Sequence, residues 1–398
     1  MHLSLSTIIV GMFSRRTEWN LAPNRLAQAI SHARESTEAI LDLTISNPTH
    51  AGIEFDQRAI LDSLGDQKSL EYCPQPKGLL SARKAVADYY AERKEKVDPE
   101  NLFLLASTSE GYSYTFRLLA NPGDEVLVPK PSYPLFEFLA DLQDVTLVPY
   151  PLLYDHGWQI DLQGLEQAIS EKSRAIVVVH PNNPTGSYVS PGERFRLNEL
   201  CASNEMALIV DEVFLDYAHD GKMRRPFALN AEALTFTMSG LSKISALPQM
   251  KLAWIAVSGP EKIAAQAVAK LEVIADTYLS VNTPVQVAAP ILLAQAKSVQ
   301  PQLMRRVHAN LRELGAQLPA NGSCTRLEVE GGWYAVLRVP VTRSDEDLAI
   351  TLVRDCRVLV HPGHFYDFAA DGFLVLSLIT EPGTFREGIS RVLSSFKT

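Results

Sequence analysis

Cysteine is scarce in this chain. Only Cys73, Cys201, Cys324 and Cys356 occur among 398 residues, scattered and with no CxxC pair. That spacing points to neither a zinc site nor a disulfide framework, and it suits a reducing, cytoplasmic compartment. Long apolar runs are missing too. No apolar stretch reaches the roughly 18 residues a bilayer demands, so no membrane span is expected. The opening "MHLSLSTIIVGMF" has no basic residues ahead of its apolar ones and no small-residue cleavage site. No secretory leader is expected from it. Positive charge is not in excess: 37 basic against 46 acidic side chains leave a net charge of −9. That balance argues against nucleic acid as the main partner. Internal repeats and low-complexity tracts are absent.

What is present is ordinary globular material, 46% apolar and 21% charged, on a chain long enough for two or three domains. Between residues 101 and 260 runs rich in β-branched residues recur: "NLFLLAS", "DEVLVP", "RAIVVVH", "ALIVDEVF", "LTFTMSG" and "LAWIAVSG". Amphipathic stretches at Leu162 to Ser170 and Pro191 to Asn204 separate some of them. Continuous apolar strands between helical patterns predict an α/β fold with a mostly parallel sheet, covered by helices on both faces. Ligands of such sheets bind beyond the C-terminal strand ends. After Val285 a long helical pattern runs towards Leu318. Strand-like "CTRLEVE", "WYAVLRVP", "RVLVHPG" and "FLVLSLI" follow, and a helix, "TFREGISRVLSSF", closes the chain. The expected division is an N-terminal arm joined to part of a small domain (1–50), a large domain (51–285) and a small α+β C-terminal domain (286–398).

Four polar segments follow apolar strands. Ser107, Thr108 and Ser109 stand between a strand and a helix. They suit a phosphate cradle or, more simply, a helix N-cap. In "HPNNPTG" the loop is either a plain turn or the carrier of an amide, Asn183, at the ligand edge. Asp211 closes a strongly apolar strand, where an unpaired carboxylate is costly and calls for a cation. The fourth segment, "GLSKISALPQMKLAW", sets Lys243 and Lys251 inside what reads as core. Lysine forms Schiff bases with carbonyls, and a pyridine ring needs an acidic partner to stay protonated. Taken together, these residues describe a pyridoxal-phosphate site.

The order of these segments resembles that of the class I/II aminotransferases, pyridoxal-phosphate enzymes of fold type I, over roughly residues 40 to 395. The resemblance rests on Asn-Pro-Thr-Gly at 183 to 186, Asp211-Glu212, Ser242-Lys243, "YCPQPKG" with Tyr72 and Gly78, the following "LLSARKAVADYY", and "PSYP" with Tyr133. It implies that Lys243 is the catalytic Schiff-base lysine and that Asp211 pairs with the ring nitrogen. It further implies that Asn183 bonds the ring 3-oxygen and that Tyr133 stacks on the ring. Ser107, Thr108 and Ser109 would hold the phosphate, with Ser242 beside the lysine. Lys251 would serve the phosphate where the family usually has arginine. Tyr72 would reach the phosphate of a neighbouring subunit, which implies a homodimer. The partners implied are an amino donor and an oxo-acid acceptor.

Three positions depart from the family pattern. Phe214 replaces a tyrosine bonded to the ring oxygen, and Gly240 replaces a phosphate-binding serine that Ser239 or Ser242 would have to make good. Val375 stands where an arginine usually grips the substrate carboxylate. Either the strand register differs, or the carboxylate is bound elsewhere, or the substrate is an amine or modified amino acid. Arg15 and Arg16 are candidate substitutes, and Arg386 is expected on the surface of the last helix. His361 and His364 read as part of a Pro-Gly loop rather than a metal pair; "GGWYAV" reads as a turn into a strand, and "RKEKVDPE" as a solvated turn. Two alternatives stand beside amino transfer: a lyase or decarboxylase of the same fold, and a non-catalytic cofactor-binding module. The second is disfavoured by the intact lysine and the lack of a basic helix-turn-helix segment before the core.

Overall fold

Residues 12–318 and 322–396 are described in this computed structural model; the opening stretch through Gly11, with its leader question, lies outside the described residues. The strands are β1 Leu41–Asp42, β2 Leu102–Leu105, β3 Glu125–Lys130, β4 Thr146–Tyr154, β5 Trp158–Ile160, β6 Ser173–Val179, β7 Ala207–Asp211, β8 Thr235–Gly240, β9 Ala253–Ser258, β10 Thr325–Arg326, β11 Tyr334–Arg338, β12 Val358–Leu359, β13 His361–Pro362 and β14 Phe373–Ser377. The α-helices are α1 Arg25–Arg34, α2 Gln57–Leu64, α3 Leu80–Ala91, α4 Thr108–Leu119, α5 Phe136–Asp141, α6 Leu162–Ala168, α7 Pro191–Ser203, α8 Leu241–Ile244, α9 Glu261–Tyr278, α10 Thr283–Ala294, α11 Ala296–Gln317, α12 Asp345–Cys356 and α13 Pro382–Ser394.

The large sheet has the order β2-β9-β8-β7-β6-β3-β4-β5. Its centre, from β8 through β4, is parallel; β9 and β5 run against their neighbours. Because β9 is antiparallel to both β2 and β8, β2 points the same way as the parallel strands. Apolar runs without polar alternation fit a sheet covered on both faces. Val126, Val177, Ile209 and Phe236 join one core with α4 and α9. Leu127, Ile176, Leu208 and Val210 join another with Leu197 and Leu200 of α7. Each such side chain contributes about 1.5–3 kcal/mol by leaving water.

A second, antiparallel sheet has the order β10-β11-β14-β13. Its core takes in Leu26 of α1, Leu43 beside β1, and Val299 and Leu303 of α11. Strand β1 pairs with β12, tying residues before 50 to the C-terminal part. Arg25 at the start of α1 pairs with Glu346 at 3.1 Å and Asp347 at 2.6 Å on α12.

The structure departs from the sequence reading in several places. The single helical pattern after Val285 is two helices, α10 and α11, meeting at Gln295. The β4–β5 hairpin was not expected; Pro149 and Pro151 mask β4, whose outer flank carries only the short β5. Helix α12 was likewise unread. In "CTRLEVE" only Thr325–Arg326 is strand. Lys251 is exposed, not core: it caps the short turn Pro248–Met250 with a left-handed φ of 52°, which turns it out of the apolar run that follows.

Candidate active site

Five segments leave β2, β3, β6, β7 and β8 at one edge of the large sheet. The last of these strands ends at Gly240, and α8 follows at once, carrying Lys243. A Cβ at Gly240 would lie 2.9 Å from both Leu252 O and Ala253 Cβ, so the approach of β9 leaves no room for a serine there. Ser239 does not make good the missing hydroxyl, because its Oγ is fully buried against Glu212 O at 3.4 Å. Ser242, on the helical turn, stays available.

The Lys243 amine lies among rings, with Nζ 5.3 Å from the Phe214 centroid and 4.9 Å from that of Trp333. Burial pushes it down to about 8, opposed by the pull of the Asp211 charge. Asp211 closes β7. Its carboxylate accepts from Tyr112 OH and Val213 N, each at 3.1 Å. Burial nevertheless raises it to about 6, against the opposing effects of those two bonds and Lys243. Tyr112 escaped the sequence reading. The available signal was its place one turn into the helix after "STSEG", where Gly111 lets α4 sit against Met238 of β8.

The two asparagines after β6 divide their work. Asn182 builds the turn: its side chain accepts from Thr185 Oγ1 at 3.0 Å and donates to Ser132 Oγ at 3.3 Å. Asn183 Oδ1 is buried with no partner. Beside it Gly186, with φ of 71°, meets the backbone of Gly331 so closely that a side chain is excluded. Tyr133, after β3, is half-exposed and feels the Asp211 charge. Ser107 is the N-cap of α4, accepting from Glu110 N at 3.2 Å. The cap uses that hydroxyl but leaves the first-turn amides of Thr108 and Ser109 without acceptors among the described residues, as helix starts do.

Some expected residues are not brought here by this chain alone. Tyr72 is 78% exposed on the stretch before α3. Arg16 is paired with Asp144, beyond α5, while Arg15 stays exposed on the same short turn. Arg386 is on the surface of α13, 3.3 Å from Glu313.

Residues 38–391 match the family model described as aminotransferase class I and II. The chain belongs to the class I and II aminotransferase family. It is 29% identical over 357 residues to glutamate-pyruvate aminotransferase AlaA of Haemophilus influenzae, covering 86% of this chain and 87% of that one. With an alanine aminotransferase of Mycobacterium tuberculosis it shares 28% over 352 residues, 86% of this chain and 82% of that one. An alanine aminotransferase from Pyrococcus furiosus superposes with a TM-score of 0.86 at 22% identity, covering 97% and 99% of the two chains. A Thermus thermophilus aspartate aminotransferase double mutant gives 0.82 at 22%, covering 96% and 99%.

The cofactor of this aminotransferase is pyridoxal 5'-phosphate. The pocket fits it chemically. A buried carboxylate, a buried amide oxygen short of a donor, a lysine whose burial favours its neutral form and free helix-start amides correspond to its ring nitrogen, ring hydroxyl, carbonyl carbon and phosphate.

Proposed function

We propose that this aminotransferase carries an amino group from an amino acid or related amine to an oxo acid in two successive half-reactions, with Lys243 as its catalytic residue. The observation that carries the reading is the pairing, in one buried pocket, of a lysine held down to about 8 with a carboxylate held up to about 6. Bound there, the cofactor supplies a carbonyl carbon for the amino group and an electron-withdrawing ring. The chain's own residues do the rest. Lys243 would hold the cofactor and would move a proton at the donor's α-carbon; an amine near 8 is suited to giving and taking it near neutral pH. Asp211 keeps a proton on the ring nitrogen, oriented by Tyr112. Asn183 would bond the ring oxygen, and Tyr133 would stack on the ring. Ser107 starts the helix whose Thr108 and Ser109 amides hold the phosphate, with Ser242 beside them. Lys251, though exposed, would add a point charge without arginine's fork.

Tyr72 would act on the phosphate of a second subunit, so the working form is a homodimer; the exposed Leu70 and Tyr72 support that surface. A cytoplasmic location is part of the proposal, supported by four free cysteines. The names of the relatives put alanine, glutamate and pyruvate first on a substrate panel. The expected result for Lys243→Ala is loss of the holoenzyme's visible absorbance and of turnover; retention of both overturns the assignment. A lyase or decarboxylase would be betrayed if no donor bleached the wild-type absorbance reversibly, with restoration by an oxo acid.

A further inference from the structure

Among the described residues no cation stands at Val375, the place the resemblance reserves for an arginine. Strand β14 pairs Val375 with Val336 on β11 and with His361 on β13, while Tyr334 pairs with Ser377. Cross-strand partners share a face, and alternate residues return to it. Tyr334, Val336, Val375 and His361 therefore stand together, with Val375 fully buried. Shifting the register by one brings Leu374, not a charge. In the place the resemblance reserves for an arginine, the sheet presents an imidazole.

That imidazole is tied to the site. His361 Nδ1 lies 3.1 Å from Tyr366 OH. The Tyr366 ring is 6.4 Å from that of Tyr334, and both hydroxyls feel Tyr133, the residue that feels Asp211. The other candidate cations are held elsewhere or turned to solvent. Lys130 is paired with Asp367 at 3.0 Å and Arg16 with Asp144, while Arg338, two residues past Val336 on β11, is exposed and lies over the rings of Tyr154 and Phe373. A carboxylate in such a pocket needs both a hydrogen bond and a charge.

We propose that Tyr366, held by His361, receives the substrate carboxylate in place of a fixed arginine, and that protonation of His361 supplies the missing charge. With Nδ1–H donating to the phenol oxygen, the Tyr366 proton is free to bond the carboxylate. Among the described residues the titratable groups facing His361 are Tyr366 from its own loop and Asp42 from β1; β14 offers only Val375, and Asp345 of α12, the helix packed on β13, is engaged by the Gly372 and Phe373 amides. Burial favours the neutral ring and Asp42 favours the charged one, so an arriving carboxylate brings in a proton. The sign follows: carboxylate affinity falls as pH rises through the imidazole range. The inference rests on the reading of the Lys243 pocket as an amino-transfer site.

The test uses holoenzyme and two probes without an amino group, propionate and propionamide, as competitive inhibitors. Propionate Ki is expected to rise, approaching tenfold per pH unit, between about pH 6 and 8.5, with propionamide flat across that range. His361→Gln keeps a hydrogen bond to Tyr366 without the charge. It should weaken propionate about tenfold at pH 6, abolish its pH dependence and spare propionamide. Tyr366→Phe should weaken propionate while the Lys243 absorbance persists. Propionate that inhibits equally at every pH, or equally in His361→Gln, overturns the proposal and leaves amino transfer standing. A wild-type holoenzyme bleached by no amino donor overturns the reading beneath it.

Discussion

Asp211 should make the apoenzyme less stable than it need be. Its carboxyl is shifted from the ordinary 3.8 to about 6 in the fold, chiefly by burial. A shift of about two units corresponds to about 3 kcal/mol at 1.36 kcal/mol per unit. The folded value is the raised one, so the protonated form is the stable one. The stability this group contributes is complete below the unfolded value and is lost as pH rises through about 6. The penalty is therefore fully developed at pH 8 and roughly half as large at pH 5. Asp211→Asn removes the charge at nearly constant shape. In urea denaturation the variant apoenzyme should gain about 2–3 kcal/mol over wild type at pH 8, and clearly less at pH 5. In the holoenzyme the order should reverse, because the variant can no longer hold a proton on the ring nitrogen. A variant apoenzyme that is less stable at both pH values, or a difference that ignores pH, would refute this account of the buried carboxylate.

Other outcomes follow from single contacts. Tyr112→Phe deletes the 3.1 Å bond to Asp211 and should raise that carboxyl further; a hydrogen bond to a charged group contributes about 1.5–3 kcal/mol, measured as weaker cofactor retention at pH 7. Phe214→Tyr adds a donor 3% exposed beside Lys243; the pH midpoint of the holoenzyme's visible absorbance should fall by about one unit, and no movement would argue against Phe214 facing the cofactor. Gly240→Ser should cost about 1–3 kcal/mol in urea midpoint stability, since its Cβ has 2.9 Å to a backbone oxygen. Lys251→Ala should change cofactor affinity less than about fivefold, because an exposed charge contributes at most about 1 kcal/mol.

Much of the site was legible because its chemistry sits in short segments. Apolar runs such as "RAIVVV" can satisfy their backbone and bury both faces only as central strands, and each ends in the residue that carries chemistry. Asp211, Asn183 and Lys243 therefore stood out as candidates from their places after apolar strands, and the resemblance supplied their roles. Tyr112 was not, since an aromatic on a helix ordinarily reads as core. Lys251 was misread because an apolar run begins beside it; the turn that rotates it outward depends on a left-handed backbone no composition reveals. The β4–β5 hairpin was hidden by prolines that an edge position tolerates.

The amino-acid order by itself determined the family and the cofactor and singled out Lys243 as the candidate lysine, because these depend on residue types at fixed local offsets. Tertiary structure decided what is long-range. It brought Asp211 and Lys243 into mutual influence across 32 positions, closed Gly240 against β9, and set His361 beside Val375 through strand pairing. Burial and cross-strand register are properties of neighbours distant in the chain, and they shift Asp211 and Lys243 towards their neutral forms.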